Sequence, residues 1–147
     1  MACSFFGHHS ITQDIEEKLN ASITTLISEG IHTFYVGNNG QFDLIVQEAL
    51  RKKQMEFPHL KYRIILSRID EKAISGEQKA TVFPEELATA LPRFAICKRN
   101  EWLIKNSSVI ICYISRNPSN SQKWVDKACK KGLKIINLAD DVSFNRI

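Results

Sequence analysis

Five short apolar segments punctuate the chain: Ala2–Phe6, Thr33–Val36, Tyr62–Leu66, Val109–Ile114 and Lys134–Leu138. They are rich in aromatic and β-branched residues, which suit a pleated surface, and stretches of helical periodicity separate them. In Val109-Ile110-Ile111-Cys112-Tyr113-Ile114 every position is apolar. Such a strand has both faces covered, as when helices lie on each side of a parallel sheet. The pattern predicts an α/β fold, a Rossmann-like three-layer sandwich with a five-stranded, mostly parallel sheet.

The helices between the strands follow from spacing and punctuation. Ser10 and Gln13 fit a capping box, and Ile11, Ile15, Leu19, Ile23 and Leu26-Ile27 recur on one face until Gly30. A second helix is expected from about Phe42 to Met55, with Ile45, Val46, Ala49 and Leu50 inward. A third is expected from Arg93 to Asn106 and a fourth from Gln122 to Lys131, closed by Gly132. Between the third strand and third helix, Ser67–Pro92 carries Gly76, Pro84 and Pro92 and no clear period. So long a connection, leaving a strand's carboxyl end, is expected to be functional, for instance as a lid.

At 147 residues the chain has the size of one domain, taken as 1–147, and can bury a core without disulfides or metal. No run approaches the ~18 apolar residues of a membrane span, and the start Met-Ala-Cys-Ser-Phe-Phe is unlike a secretory signal. A cytoplasmic location without a membrane partner is expected. Cys3, Cys97, Cys112 and Cys129 are scattered and form no Cys-x-x-Cys pair, which favours reduced, mostly packed thiols over a metal site. No cofactor is expected. The net charge of +4 suits an anionic ligand but is too modest to imply nucleic acid. The basic clusters Arg51-Lys52-Lys53 and Lys127, Lys130, Lys131, Lys134 fall near helix ends, where they complement the dipole. Basic residues interleaved with exposed aromatics, the mark of a single-strand binder, are not evident.

In a parallel sheet the strand carboxyl ends and the following helix N-termini gather at one edge. That edge collects Gly7-His8-His9-Ser10, Gly37-Asn38-Asn39-Gly40 with Asp43, the long connection, and the segment from Ser115 through Ser119 and Ser121. Glycine allows close approach of backbone to a ligand, and free N–H groups at a helix start attract anions. Gly7, Gly37, Asn38, Asn39 and Gly40 are therefore candidate ligand contacts, with Ser115, Ser119 and Ser121 as hydrogen-bond donors. Asp43 is placed either to complement the helix dipole or to bind a sugar hydroxyl, and His8 either to bind phosphate or to hydrogen-bond locally. On the third helix Arg93, Cys97, Asn100 and Ile104 share a face, while Lys98 and Arg99 are expected to point elsewhere. Arg93, after Pro92, is the candidate guanidinium for a phosphate. Glu85, in Phe83-Pro84-Glu85, is a candidate acid/base residue.

Taken together in this order, Cys3-Ser4-Phe5-Phe6-Gly7-His8, Phe34 through Asp43, Phe83-Pro84-Glu85, Pro92 through Asn100 and Val109 through Tyr113 resemble the SLOG superfamily, closest to small YpsA-related members. The superfamily also joins the DNA-processing protein A and Lonely Guy proteins. The resemblance implies a Rossmann-like domain that binds or processes nucleotides, including NAD- or ADP-ribose-derived signals. It maps the glycine loop onto Gly37, Asn39, Gly40 and Asp43, and a Gly-His-Arg turn onto Gly7 and His8, with His9 in place of arginine. After the fourth strand, Lonely Guy hydrolases resemble one another in a Pro-Gly-Gly-x-Gly-Thr loop and a glutamate. Here Asn117-Pro118-Ser119-Asn120-Ser121-Gln122 has neither. The expectation is a ligand sensor or sequestering protein in stress or phage–host signalling, able to pair with a second copy. The alternative is a nucleotide hydrolase using Glu85 or Asp43.

Overall fold

The computed structural model describes residues 1–11, 13–67, 80–115 and 119–139. Its strands are β1 (Ala2–Gly7), β2 (Thr33–Val36), β3 (Lys61–Ile65), β4 (Thr81–Val82), β5 (Val109–Tyr113) and β6 (Lys134–Asn137). They form one sheet in the order β4-β3-β2-β1-β5-β6, every pair parallel. The α-helices are α1 (Glu16–Ser28), α2 (Gln41–Glu56), α3 (Ala95–Lys105) and α4 (Asn120–Lys130). This is the expected three-layer α/β architecture with one strand more. The added strand, Thr81 and Val82, pairs with Ile64 and Ile65 at the sheet edge, and two residues are too few to carry a period.

Side chains alternate between two cores. Phe5, Phe34, Val36, Val109, Ile111 and Tyr113 face one layer, where Leu19, Ile23 and Leu26 of α1 and Phe42, Val46 and Leu50 of α2 cover them. Phe6, Ile65, Ile110 and Cys112 face the other, under Leu103 and Ile104 of α3 and Val125 and Ala128 of α4. Full burial of one such aliphatic or aromatic side chain contributes about 1.5–3 kcal/mol. The continuous apolar run of β5 is thus two alternating faces, each filled by a helix pair.

Helix α1 begins later than its apolar spacing suggests. Ile11 and Ile15 are buried, but Ser10 is exposed and Ile15 is the N-cap residue, without a side-chain cap. The intended capping partner Gln13 instead accepts a hydrogen bond from the Tyr113 hydroxyl at 3.1 Å, while Asp14 accepts one from the Glu16 N–H at 3.0 Å. The preceding backbone is held by α2: His9 C=O accepts from Gln41 N–H at 2.8 Å, and Ile11 N–H donates to Gln41 Oε1 at 2.9 Å. These tertiary bonds outcompete another helical turn. Buried Cys3 and Cys112 are packed thiols as expected, and burial pushes the Cys3 thiol far up, but Cys97 and Cys129 are exposed. Among the described residues no helix is long and apolar enough to cross a membrane.

The chain builds outward from β1 through β2, β3 and β4, then returns to place β5 on the other side of β1. The order in which strands are added therefore reverses between β1 and β5, while all strands stay parallel. In open α/β sheets, the carboxyl ends at such a reversal frame a crevice. A lid over that crevice, expected of the long connection, would involve residues 68–79, which lie outside the described residues.

Candidate functional site

A cavity of about 440 Å³ opens at this edge, within the usual range of ~300–1,000 Å³ for small-molecule sites. Four parts of the chain build it. The end of β1 supplies its floor, Phe5 to Gly7, with His9 beyond; the loop into α2 supplies Asn39 and Asp43. The start of α3 supplies Ile96, Cys97, Arg99 and Asn100, and the first turns of α4 supply Asn120, Ser121, Lys123 and Trp124. A hydrogen bond of 2.8 Å from Ser121 Oγ to the Gly7 carbonyl ties α4 to the end of β1.

The chemical centre is two buried opposite charges that interact through the field between them and both crowd one glycine. Arg99 is 4% exposed and Asp43 6% exposed, so both are largely out of water, as these residue types rarely are. A Cβ on Gly37 would collide with Arg99 Nη1 and lie 2.8 Å from Asp43 Oδ2, so glycine lets both groups settle against this backbone. Arg99 donates from Nε to Asn100 Oδ1 at 2.9 Å and from Nη1 to the Ile65 carbonyl at 3.4 Å. Asp43 accepts the Asn39 N–H at 3.0 Å, and the Gly37 carbonyl accepts from Gln47 Nε2 at 2.8 Å. Burial pushes the Asp43 carboxyl up, against the opposing pull of Arg99, the Asn39 N–H and His9. Burial also lowers the Arg99 pKa, against the field of Asp43, yet a guanidinium keeps its charge.

The glycine loop acts through this pair. Gly40, at φ 101°, is the N-cap of α2, and its turn places Asp43 in the first helical turn, where the carboxylate folds back onto the loop. A Cβ there would approach His9 Cα at 3.0 Å, so the loop is also pressed against the β1–α1 connection.

The structure brings together Gly7, Asn39, Asp43, Asn100 and Ser121 at the cavity wall. Gly37 and Gly40 shape that wall from behind, and Asn38 is exposed. His8 is 3% exposed; its Nε2 accepts the Ser115 N–H at 2.9 Å and its ring meets Tyr113 edge-on. Its role there is to join the ends of β1 and β5. Ser119 caps α4 by accepting the Gln122 N–H at 3.1 Å. Two candidates lie elsewhere. Arg93 is exposed, its guanidinium stacked over Phe94, and Glu85 sits exposed on a 3₁₀ turn, Glu85–Leu87.

The guanidinium at the site is Arg99, one of the two side chains expected to point away. Ala95 and Leu103 are both buried, and Arg99 lies four residues from each. That spacing puts it on the inward stripe of α3, a signal obscured by its place in the basic run Lys98-Arg99. Lys123 and Trp124 were missed too, with Lys127 Nζ 4.7 Å from the Trp124 ring centre. No protein-family model matches this chain, and no curated protein matches it.

Proposed function

We propose that this cavity binds a nucleotide-derived small molecule, of the NAD or ADP-ribose kind, and that the protein senses or sequesters it. The observation that carries the reading is Arg99, a buried guanidinium on the wall of a crevice at the sheet's reversal point. Around it the wall offers what such a ligand needs. Arg99, His9 and Lys123 suit a phosphate, the Asn39, Asn100 and Asn120 amides suit sugar hydroxyls, and Trp124 with Ile96 and Phe6 gives an apolar surface for a base. A role in stress or phage–host signalling would follow from which nucleotide is held.

Incubation with NAD, ADP-ribose, cyclic ADP-ribose forms and nucleoside monophosphates tests the reading. At least one should be retained and recovered unchanged; failure to retain any of them would refute it. A second reading, a nucleotide hydrolase, is favoured by one observation: a carboxyl with a raised pKa, suited to a general acid, faces the cavity at Asp43. Glu85, exposed and outside the cavity lining, lends it no support. Under that reading product would form with the native protein and cease with Asp43→Asn.

A further inference from the structure

Asp43 is the single carboxylate among the described residues that line the cavity, and it rests on the same glycine as Arg99. An anionic group arriving at that guanidinium meets Asp43 as its competitor. The charged and titratable groups around the carboxylate are Arg99 from α3, His9 from the β1–α1 connection and Lys123 across the cavity from α4, while the β2–α2 loop presents the Asn39 N–H. Two negative groups cannot share one buried cation at low cost, because like charges in a low-dielectric site repel strongly.

We propose that ligand binding is coupled to uptake of one proton by Asp43. When an anionic group of the ligand takes the guanidinium of Arg99, the Asp43 carboxylate accepts a proton from solvent and becomes a neutral acid, able to donate a hydrogen bond into the cavity. No other bond forms or breaks. The inference rests on the nucleotide-binding reading above. The sign follows from linkage: a carboxyl whose pKa is higher in the complex than in the free protein makes binding tighter at lower pH. Affinity then falls as pH rises between the two pKa values, by up to tenfold per pH unit for one proton.

The test is calorimetry with ADP-ribose, whose pyrophosphate diester does not titrate near neutrality, in buffers of different ionisation enthalpy from about pH 5 to 8. The native protein should take up close to one proton per ligand somewhere in that range, with affinity declining toward high pH. Asp43→Asn keeps an acceptor for the Asn39 N–H and should bind without proton uptake, with flat pH dependence and, at the alkaline end, more tightly than the native protein. Binding without proton uptake overturns this inference alone, and uptake that survives Asp43→Asn overturns it by assigning the proton to another group. Absence of ADP-ribose binding at every pH overturns the nucleotide reading and this inference together. Should Asp43→Asn fail to fold by circular dichroism, His9→Gln decides: proton uptake that persists in it supports the inference, and uptake that disappears overturns it.

Discussion

At the scale of single residues, the two arginines of the third helical region give opposite expectations. Arg93 is exposed over Phe94, whereas Arg99 is buried on the cavity wall against Gly37. A hydrogen bond from a charged group contributes about 1.5–3 kcal/mol, so Arg99→Met should weaken nucleotide binding roughly 10- to 100-fold. Arg93→Met should change it by less than about threefold, as expected of an exposed charge. Equilibrium titration of both variants checks the contrast. Gly37→Ala is a sharper probe, because the added methyl would collide with Arg99 Nη1 and crowd Asp43 Oδ2. Overpacking of this kind costs about 1–3 kcal/mol, to be read from denaturant midpoints, and it should also displace the guanidinium and weaken binding.

At the scale of elements, the site exists because the N-termini of α2 and α4 are brought to the end of β1. Each is capped differently. Gly40 turns the chain into α2 and Asp43 closes the loop, while Ser119 caps α4 with its side chain. Ser119→Ala should therefore lower stability by about 1 kcal/mol in chemical denaturation. If Ser119 were a principal ligand contact, binding would fall much more than stability. The five apolar segments were legible because strand burial imposes apolar residues whatever the partner, and the inward faces of α1 and α2 followed from spacing. The start of α1 was not legible, since Gln41 holds the preceding backbone from thirty residues away. The same limit applied to the site. Gly7, Asn39, Asp43 and Ser121 could be found because strand ends and helix starts fix where they fall, and Asn100 from the helix face expected to hold Cys97. Arg99 could have been found from its four-residue spacing to Ala95 and Leu103, but charge content argued for the surface. The use of His8 as a link to Ser115 depends on a contact across 107 positions, which no local pattern carries.

At the scale of the molecule, the cavity borrows side chains from β1, the α2 loop, α3 and α4, so a bound ligand ties both helical layers to the sheet. A ligand that binds only the folded state stabilises it by mass action, about 2.7 kcal/mol at a hundredfold excess over Kd. For a domain of this size that corresponds to a rise in Tm of roughly 5–10 °C. Thermal unfolding with and without nucleotide measures it, and at the same ligand concentration Arg99→Met should lose about half of the shift or more. The central claim is that this crevice recognises a nucleotide-derived anion through Arg99. Calorimetric titration of the native protein and Arg99→Met with ADP-ribose, NAD and nucleoside monophosphates tests it most directly. The account predicts saturable binding of at least one of them, weakened at least tenfold by Arg99→Met, the lower end of the loss expected above. Absence of any binder, or a binder held equally well by the variant, would contradict it.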